Sequence, residues 1–342
     1  MRFYIFRIIG YAALLSLIIL LSAIFFPRTY KVPSLKKRAQ TQYWTLRDGS
    51  AVGYFLLAGK GQTKKSSIVY LHGGPGGHIT GRDIRVFSAL SDRGFDIYLY
   101  DQIGSGQSQR LKDIAGYTVA RHVEDLHEII GKINSGKIIL IGQSWGGILA
   151  GSFVARYPEE VEKIIFTCPG PVFPIHQELA SLQPPDSFHL RDPLFSNVGG
   201  NRLANNIRTK VMAFLATRFN IKLAGDKEAD EFATLLSYEV NKSTVCDTAR
   251  IIGPDAGNGF YASIMTFASL STINDPRPKM RSLKLPVLVM KGQCDNQPWG
   301  FTREYLSLFQ NSQLAIIPHA GHFISAEQPG IYVETIEKFI NK

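Results

Sequence analysis

The sequence predicts an α/β architecture: a mostly parallel central sheet flanked by helices, with an inserted helical cap, and preceded by an N-terminal transmembrane helix. Three observations carry that expectation. Short apolar runs alternate with helix-length segments through most of the chain. Between Pro171 and Asn274 the alternation stops and only helical patterns remain. Near the start, no charged residue occurs from Ile8 to Phe26.

The apolar stretch comes first. Its nineteen residues would span roughly 29 Å as a helix, about the thickness of a bilayer's hydrocarbon core. Tyr4, Phe25, Phe26 and Tyr30 flank it, where aromatic rings favour the membrane interface. A cleaved signal peptide is the rival reading. Its apolar region is usually shorter and ends in a small-x-small site, and Leu21-Ser22-Ala23 is a poor one lying inside the run. A buried helix is the bland alternative, which the flanking bases do not suit. The segmentation is an anchor over 1–30, a juxtamembrane linker over 31–40, a core over 41–170 and 275–342, and the cap over 171–274.

In the body, Tyr43–Arg47 and Val52–Leu57 read as strands joined by an Asp48-Gly49 turn. Ser67–Leu71, Ile97–Tyr100, Ile138–Ile141, Ile164–Thr167, Val287–Met290 and Leu314–Ile317 read as buried strands. Helical periodicity covers Val86–Ser91, Ala120–Ile133, Gly146–Tyr157, Arg208–Phe219 and Asp230–Val240. A final helix places Ile331, Val333, Ile336 and Ile340 on one face. Alternation of this kind argues for a parallel sheet covered on both faces.

Charge then narrows the function. The 342 residues hold 38 basic and 28 acidic side chains, a net +10. Seven of those bases lie in residues 1–40, which contain no acid, so the remaining 302 residues carry 31 bases against 28 acids. A body so near neutral lacks the basic field of a nucleic-acid binder. The excess belongs beside a membrane. Bases on either side of the apolar run favour a cytoplasmic body by a small margin, leaving the side unresolved. Cys168, Cys246 and Cys294 show no paired framework and demand no oxidising compartment.

The chemistry concentrates at strand ends. Gly142-Gln143-Ser144-Trp145-Gly146 is a G-x-S-x-G pattern between a strand and a helix, the setting of a nucleophile elbow with Ser144 exposed on a tight turn. A serine hydroxyl needs a base to take its proton, and the base needs a carboxylate to hold its tautomer. Asp295 follows the strand Val287–Met290, and His322 follows Leu314–Ile317, in the order Ser, acid, His. His319 is the competing base, closer to its strand end. His122 and His127 read as surface helix residues, and His176 and His189 as isolated cap residues. Cys294 has no elbow around it. The glycine-rich His72–Gly77 segment can bring an N–H toward a reacting carbonyl oxygen and, with the N–H of Trp145, form an oxyanion hole. The rival, a phosphate loop, lacks the Lys-Ser/Thr ending and G-x-G-x-x-G spacing. No metal-ligand pattern of the H-E-x-x-H or C-x-x-C type occurs, so no cofactor is implied.

His72–Gly77, Asp101–Ser108 and Gly142–Gly147 together resemble the α/β-hydrolase fold, and within it the proline iminopeptidase-like serine peptidases, from about residue 41 onward. The resemblance implies a Ser144–Asp295–His322 triad, oxyanion donors at Gly74 and Trp145, and a structural role for Asp101. The family's Asp-Gln-Arg-Gly turn here has Ile103 in the arginine position. Its amine-binding glutamate, found in a Trp-x-x-Trp-Glu pattern, corresponds to Glu239 in Leu235–Glu239, where both tryptophans are gone. The family's second glutamate follows an Ala-Arg-Ile triplet; here Ala249-Arg250-Ile251 is followed by Ile252. The expected activity is a serine hydrolase acting on a small peptide, amide or ester, an aminopeptidase first. An esterase or carbon–carbon-bond hydrolase with the same triad is the alternative, and a non-catalytic binding protein a third reading.

Overall fold

The computed structural model describes residues 2–61, 65–193, 197–250 and 253–342. Among these, eight strands form one sheet: β1 (Gln42–Thr45), β2 (Ala51–Leu57), β3 (Ile68–Leu71), β4 (Ile97–Tyr100), β5 (Ile138–Gln143), β6 (Val161–Thr167), β7 (Val287–Gly292) and β8 (Ser312–Ile317). Their order is β1-β2-β4-β3-β5-β6-β7-β8. Strand β2 runs antiparallel to both neighbours and every later pair is parallel. The first hairpin closes at Asp48-Gly49 as expected: Gly49 has φ 83°, and the Ser50 N–H donates to the Asp48 carboxylate at 3.0 Å.

Because side chains alternate along a strand, the sheet feeds two cores. Ile138 and Leu140 point into one and Ile139 and Ile141 into the other. Helices α1 (Arg2–Phe25), α2 (Gly81–Ser91), α3 (Val119–Ile133) and α4 (Trp145–Arg156) precede β6. Val119, Val123, Leu126, Ile129 and Ile130 make the buried stripe of α3. Thr118 caps its start by accepting from the Arg121 N–H, and Asn134, left-handed at φ 50°, ends it. His122 lies in that buried stripe, contrary to the surface expectation. It sits 3.1 Å from the Thr266 hydroxyl and edge-on to Trp145.

Between β6 and β7 run α5 (Val198–Ala204), α6 (Ile207–Phe219), α7 (Asp226–Asn241), α8 (Phe260–Ser269) and the short α9 (Arg277–Ser282). Helix α10 (Trp299–Leu308) precedes β8, and α11 (Ile324–Glu327) and α12 (Pro329–Ile340) follow it. The apolar face of α12 is Tyr332, Val333, Ile336, Phe339 and Ile340; Ile331 points outward.

The N-terminal apolar segment is one helix whose span Tyr4–Phe25 is almost entirely exposed. Its end is fastened to the body. Arg208, buried in α6, donates to the Ile24 carbonyl and pairs with Glu228. The Tyr30 ring lies 5.5 Å from Phe232, and Arg38 reaches the buried Asp101 carboxylate at 2.9 Å. The mostly exposed segment 31–40 touches the body through the Lys36 carbonyl, which accepts from Gln107 at 3.0 Å, and through Arg38.

Two cysteines read as unpaired are in fact joined. Cys246, in the loop after α7, forms a disulfide with Cys294 after β7, with Cα atoms 5.2 Å apart. Glu327 reinforces that junction, accepting from the Cys246 N–H at 2.8 Å and from the Gly321 N–H at 2.5 Å. Closing a loop across a sequence separation of 48 restricts the unfolded chain by roughly 4 kcal/mol on chain-entropy arithmetic. Cys246→Ser is expected to lower Tm by several degrees under oxidising conditions, measured by differential scanning fluorimetry. An unchanged Tm would show that the pair contributes nothing.

Candidate active site

Ser144 sits where β5 ends and α4 begins, with φ 55° and ψ −114°, a conformation that non-glycine residues rarely adopt. The turn is tolerated because its neighbours lack side chains. A Cβ on Gly142 would lie 2.6 Å from the Gly146 carbonyl carbon, and one on Gly146 would lie 2.7 Å from that of Leu71. The Ser144 N–H is held by the Thr167 carbonyl of β6 at 3.0 Å. Trp145 is the first residue of α4, so its backbone N–H has no acceptor within the helix and faces outward from the helix start.

The glycine-rich segment after β3 packs directly on this turn. A Cβ on Gly73 would touch Ser144 Cβ at 3.3 Å, and Gly74 has φ 132°. His72 fixes the segment. The Gln102 N–H donates to His72 Nε2 at 2.9 Å, which leaves the proton on Nδ1 to donate to the Gly73 carbonyl at 2.8 Å. Burial pushes the His72 pKa down to about 4, so the ring is neutral and keeps that tautomer. Gln102 also accepts from the Trp145 indole N–H at 2.7 Å and donates to the His72 carbonyl at 3.0 Å. One amide thus ties the glycine segment to the serine turn. Asp101 accepts from the backbone N–H groups of Ile79 and Gln107 at 2.7 and 2.8 Å, fixing the loop from below.

Asp295 and His322 meet at the ends of β7 and β8. Asp295 Oδ1 lies 2.7 Å from His322 Nδ1, and the carboxylate is fully shielded from solvent. Its other oxygen accepts from Lys291 Nζ at 2.8 Å. Burial alone would raise the Asp295 pKa, but the Lys291 ammonium, followed by His322, outweighs it and holds the value at about 2. The backbone N–H of His322 donates to the Thr244 carbonyl at 2.7 Å, so the loop after α7 holds the backbone that carries the imidazole. His319, in contrast, is exposed and its backbone N–H bonds Gln293 at 3.1 Å.

Ser144, His322, Gly73 and Gly74 line one cavity of about 660 Å³, closed on its far side by α6, α7 and α8. Glu239 is not among its lining residues; it pairs with Lys242 at 2.6 Å. Ile251 and Ile252 lie outside the described residues. The donor atoms of Cys168, Asp295 and His322 fall within 4.8 Å of one another. Both Asp295 oxygens are already engaged, and an ammonium stands beside them, so the group is a hydrogen-bonded pair rather than an open ligand set. Sequence reading missed Lys291, Gln102 and Glu327. Lys291 left a signal as a lysine in a strand whose every other residue is apolar or glycine, and Gln102 stood at the glutamine of the Asp-Gln-Arg-Gly turn without a role assigned to it.

Residues 67–329 match the alpha/beta hydrolase fold family. The chain belongs to that family. Among curated relatives, the proline iminopeptidase of Saccharolobus solfataricus is 24% identical, over 86% of this chain and 90% of the relative. A putative 2-succinyl-6-hydroxy-2,4-cyclohexadiene-1-carboxylate synthase of Bacillus subtilis is 25% identical, over 84% and 94%. A thermophilic esterase from Thermogutta terrifontis shares the fold with a TM-score of 0.63 at 19% identity, covering 89% of this chain and 98% of that one. The named reactions of these relatives differ.

Because Asp295 has a lower pKa folded than unfolded, its contribution is present above pH 4 and is lost as pH falls toward 2. The shift corresponds to about 2 kcal/mol. Lys291→Met removes the largest opposing charge, so its acid-unfolding midpoint, followed by circular dichroism, is expected at higher pH than wild type. Coincident midpoints would show that Lys291 does not hold the carboxylate.

Proposed function

We propose that the protein is a serine hydrolase that forms an acyl-enzyme at Ser144, with residues 171–274 as a cap over its substrate cavity. The observation that carries this reading is the 2.7 Å contact between His322 and Asp295 beside a strained serine turn on the same cavity. In the reaction, Ser144 Oγ attacks the substrate carbonyl and His322 Nε2 takes its proton. Asp295, accepting from Nδ1–H, keeps the imidazole in that tautomer and stabilises the imidazolium. The N–H groups of Gly74 and Trp145 receive the developing oxyanion, each worth roughly 3–4 kcal/mol of barrier in comparable hydrolases. The proton then passes to the leaving group, and a water activated by His322 releases the acid.

The lining supports a reading of the substrate class. Leu236, Phe260, Ile264, Phe267 and Phe323 give it an apolar stretch of wall, while Arg82, Lys210, Asp83 and Asp255 are its charged residues. Glu239 is committed to Lys242 and offers no carboxylate to an ammonium. An acyl ester or amide with an apolar portion against that stretch of wall therefore fits best. Aminopeptidase action on small peptides is the second reading, supported by the iminopeptidase relative and by Asp255, which lines the cavity 3.7 Å from His78.

We further infer that α1 anchors the chain. Its 22-residue span has a mean hydropathy of 2.6, long and apolar enough for a bilayer. The Cys246–Cys294 pair outweighs the small margin in flanking bases and favours a body on an oxidising side.

The full-length protein in detergent should label with a fluorophosphonate probe at Ser144. Ser144→Ala should abolish labelling and lower kcat by at least about 10⁴-fold with Tm unchanged. Short acyl esters should be cleaved faster than prolyl or alanyl arylamides. The reverse order, with Asp255→Asn raising KM for arylamides, would establish the aminopeptidase reading instead. Absence of labelling would overturn the serine mechanism.

A further inference from the structure

We propose that the outer face of α6 is a membrane-docking surface that holds the cavity against the interface of an anionic bilayer, so that substrates reach Ser144 from the lipid. The proposal rests on the reading of α1 as a membrane anchor and of the cavity as the substrate site.

The first observation is the face itself. Arg208, Thr209, Met212 and Ala216 turn α6 inward. Ile207, Lys210, Phe214 and Arg218 recur at intervals of three and four on the opposite side, all exposed. Phe214 and Phe219, 58% and 55% exposed, lie with rings 5.6 Å apart, and Ile221 extends the patch just past the helix. Large apolar side chains clustered in this way on one short helix are unusual on a surface meant to face water. Aromatic and aliphatic groups mixed with Lys and Arg are what a helix lying in the headgroup region presents.

The second observation names the occupant. Helix α1 ends on α6 itself: Arg208 donates to the carbonyl of Ile24, and Ile24 is buried while Phe25 and Phe26 beside it are exposed. The chain then returns along the body through Tyr30 against Phe232 and Arg38 on Asp101. These contacts tie the chain after α1 to the body at Tyr30 and again at Arg38, which keeps the body close to the plane in which α1 leaves the bilayer. Continuity with that helix therefore places a lipid surface, rather than a second protein, beside α6. Charge agrees, since the returning segment exposes Arg28, Lys31, Lys36 and Lys37 with no acid, and basic groups near anionic headgroups are attracted to them.

The third observation connects the face to the reaction. Thr209, Lys210 and Ala213 of α6 and Phe267 of α8 also line the cavity. Lys210 and Phe267 are exposed as well, so they form its rim. A cavity with an apolar stretch of wall at Leu236, Phe260, Ile264 and Phe267, whose rim shares a helix with the docking face, suits an amphiphile: an acyl chain leaving the bilayer with its ester carbonyl near the headgroups.

The test uses the full chain in vesicles of phosphatidylcholine and phosphatidylglycerol containing acyl-brominated lipid, with tryptophan emission read against wild type. Leu17→Trp marks the middle of α1, Phe214→Trp the docking face, and Ile331→Trp an exposed site on α12. Quenching of Leu17→Trp and Phe214→Trp, with Ile331→Trp at the wild-type level, is the expected result. Quenching at Leu17→Trp alone overturns the docking while leaving the anchor intact, as would a concentration-dependent burial of Phe214→Trp in detergent, which marks a second copy. No quenching at Leu17→Trp overturns the anchor and the docking together. Phe214→Ser combined with Phe219→Ser should lower turnover of a long-chain ester embedded in vesicles by about tenfold, with kcat/KM for a soluble short ester within about twofold. Equal loss on both substrates would make the face structural, and no loss on either would end the access role.

Discussion

A carboxylate sealed from water is tolerable only if its charge is matched at once by neighbours, and Asp295 is the point around which this molecule arranges that compensation. Lys291 takes one oxygen and the imidazole of His322 takes the other, so the anion is stabilised despite its burial. Neither neighbour can be lost cheaply, because removing one partner of a buried pair leaves an uncompensated charge. The surrounding loops serve that pair. The disulfide fixes Cys294, one residue before the carboxylate. Glu327 gathers the Cys246 and Gly321 amides, and the Thr244 carbonyl receives the backbone N–H of His322. The helices between β6 and β7 are thereby bound to the sheet edge that carries the imidazole.

The serine side is organised by a second network. Gln102 reads the backbone of the glycine segment and the indole of Trp145 simultaneously, so the two amides proposed to face an oxyanion move as one unit. Such donors act through preorganisation: they are already in place when charge develops and need no rearrangement. The neutral, buried His72 contributes by locking the Gly73 carbonyl away from the site. Beyond the chemistry, the packing of α1 onto α6 gives the molecule a defined face toward whatever surrounds its apolar N-terminal helix.

Much of the fold could be read from local pattern. The strands appeared as short apolar runs because parallel strands are buried on both sides, and α3 and α6 appeared through their periodicity. Ser144 was legible because its turn imposes glycines at fixed offsets, and Asp295 and His322 because each follows a strand. Lys291 was harder, since its role depends on a carboxylate four residues on whose direction the loop decides. His122 was misjudged because its partner, Thr266, lies 144 positions away. Glu239 carried no mark of its neighbour's claim, as a lysine three residues later reads equally well as a solvated charge.

The sequence by itself determined the alternation of strand and helix, the elbow around Ser144, the excess of positive charge before residue 41 and the apolar N-terminal helix, all set by spacing and composition over a few turns of chain. Tertiary structure alone decided which distant groups touch: Cys246 with Cys294, Arg208 with the end of α1, Gln102 with Trp145. Those contacts join segments separated by dozens to nearly two hundred residues, and local propensity carries no information about which of many compatible partners the folded topology brings within bonding distance.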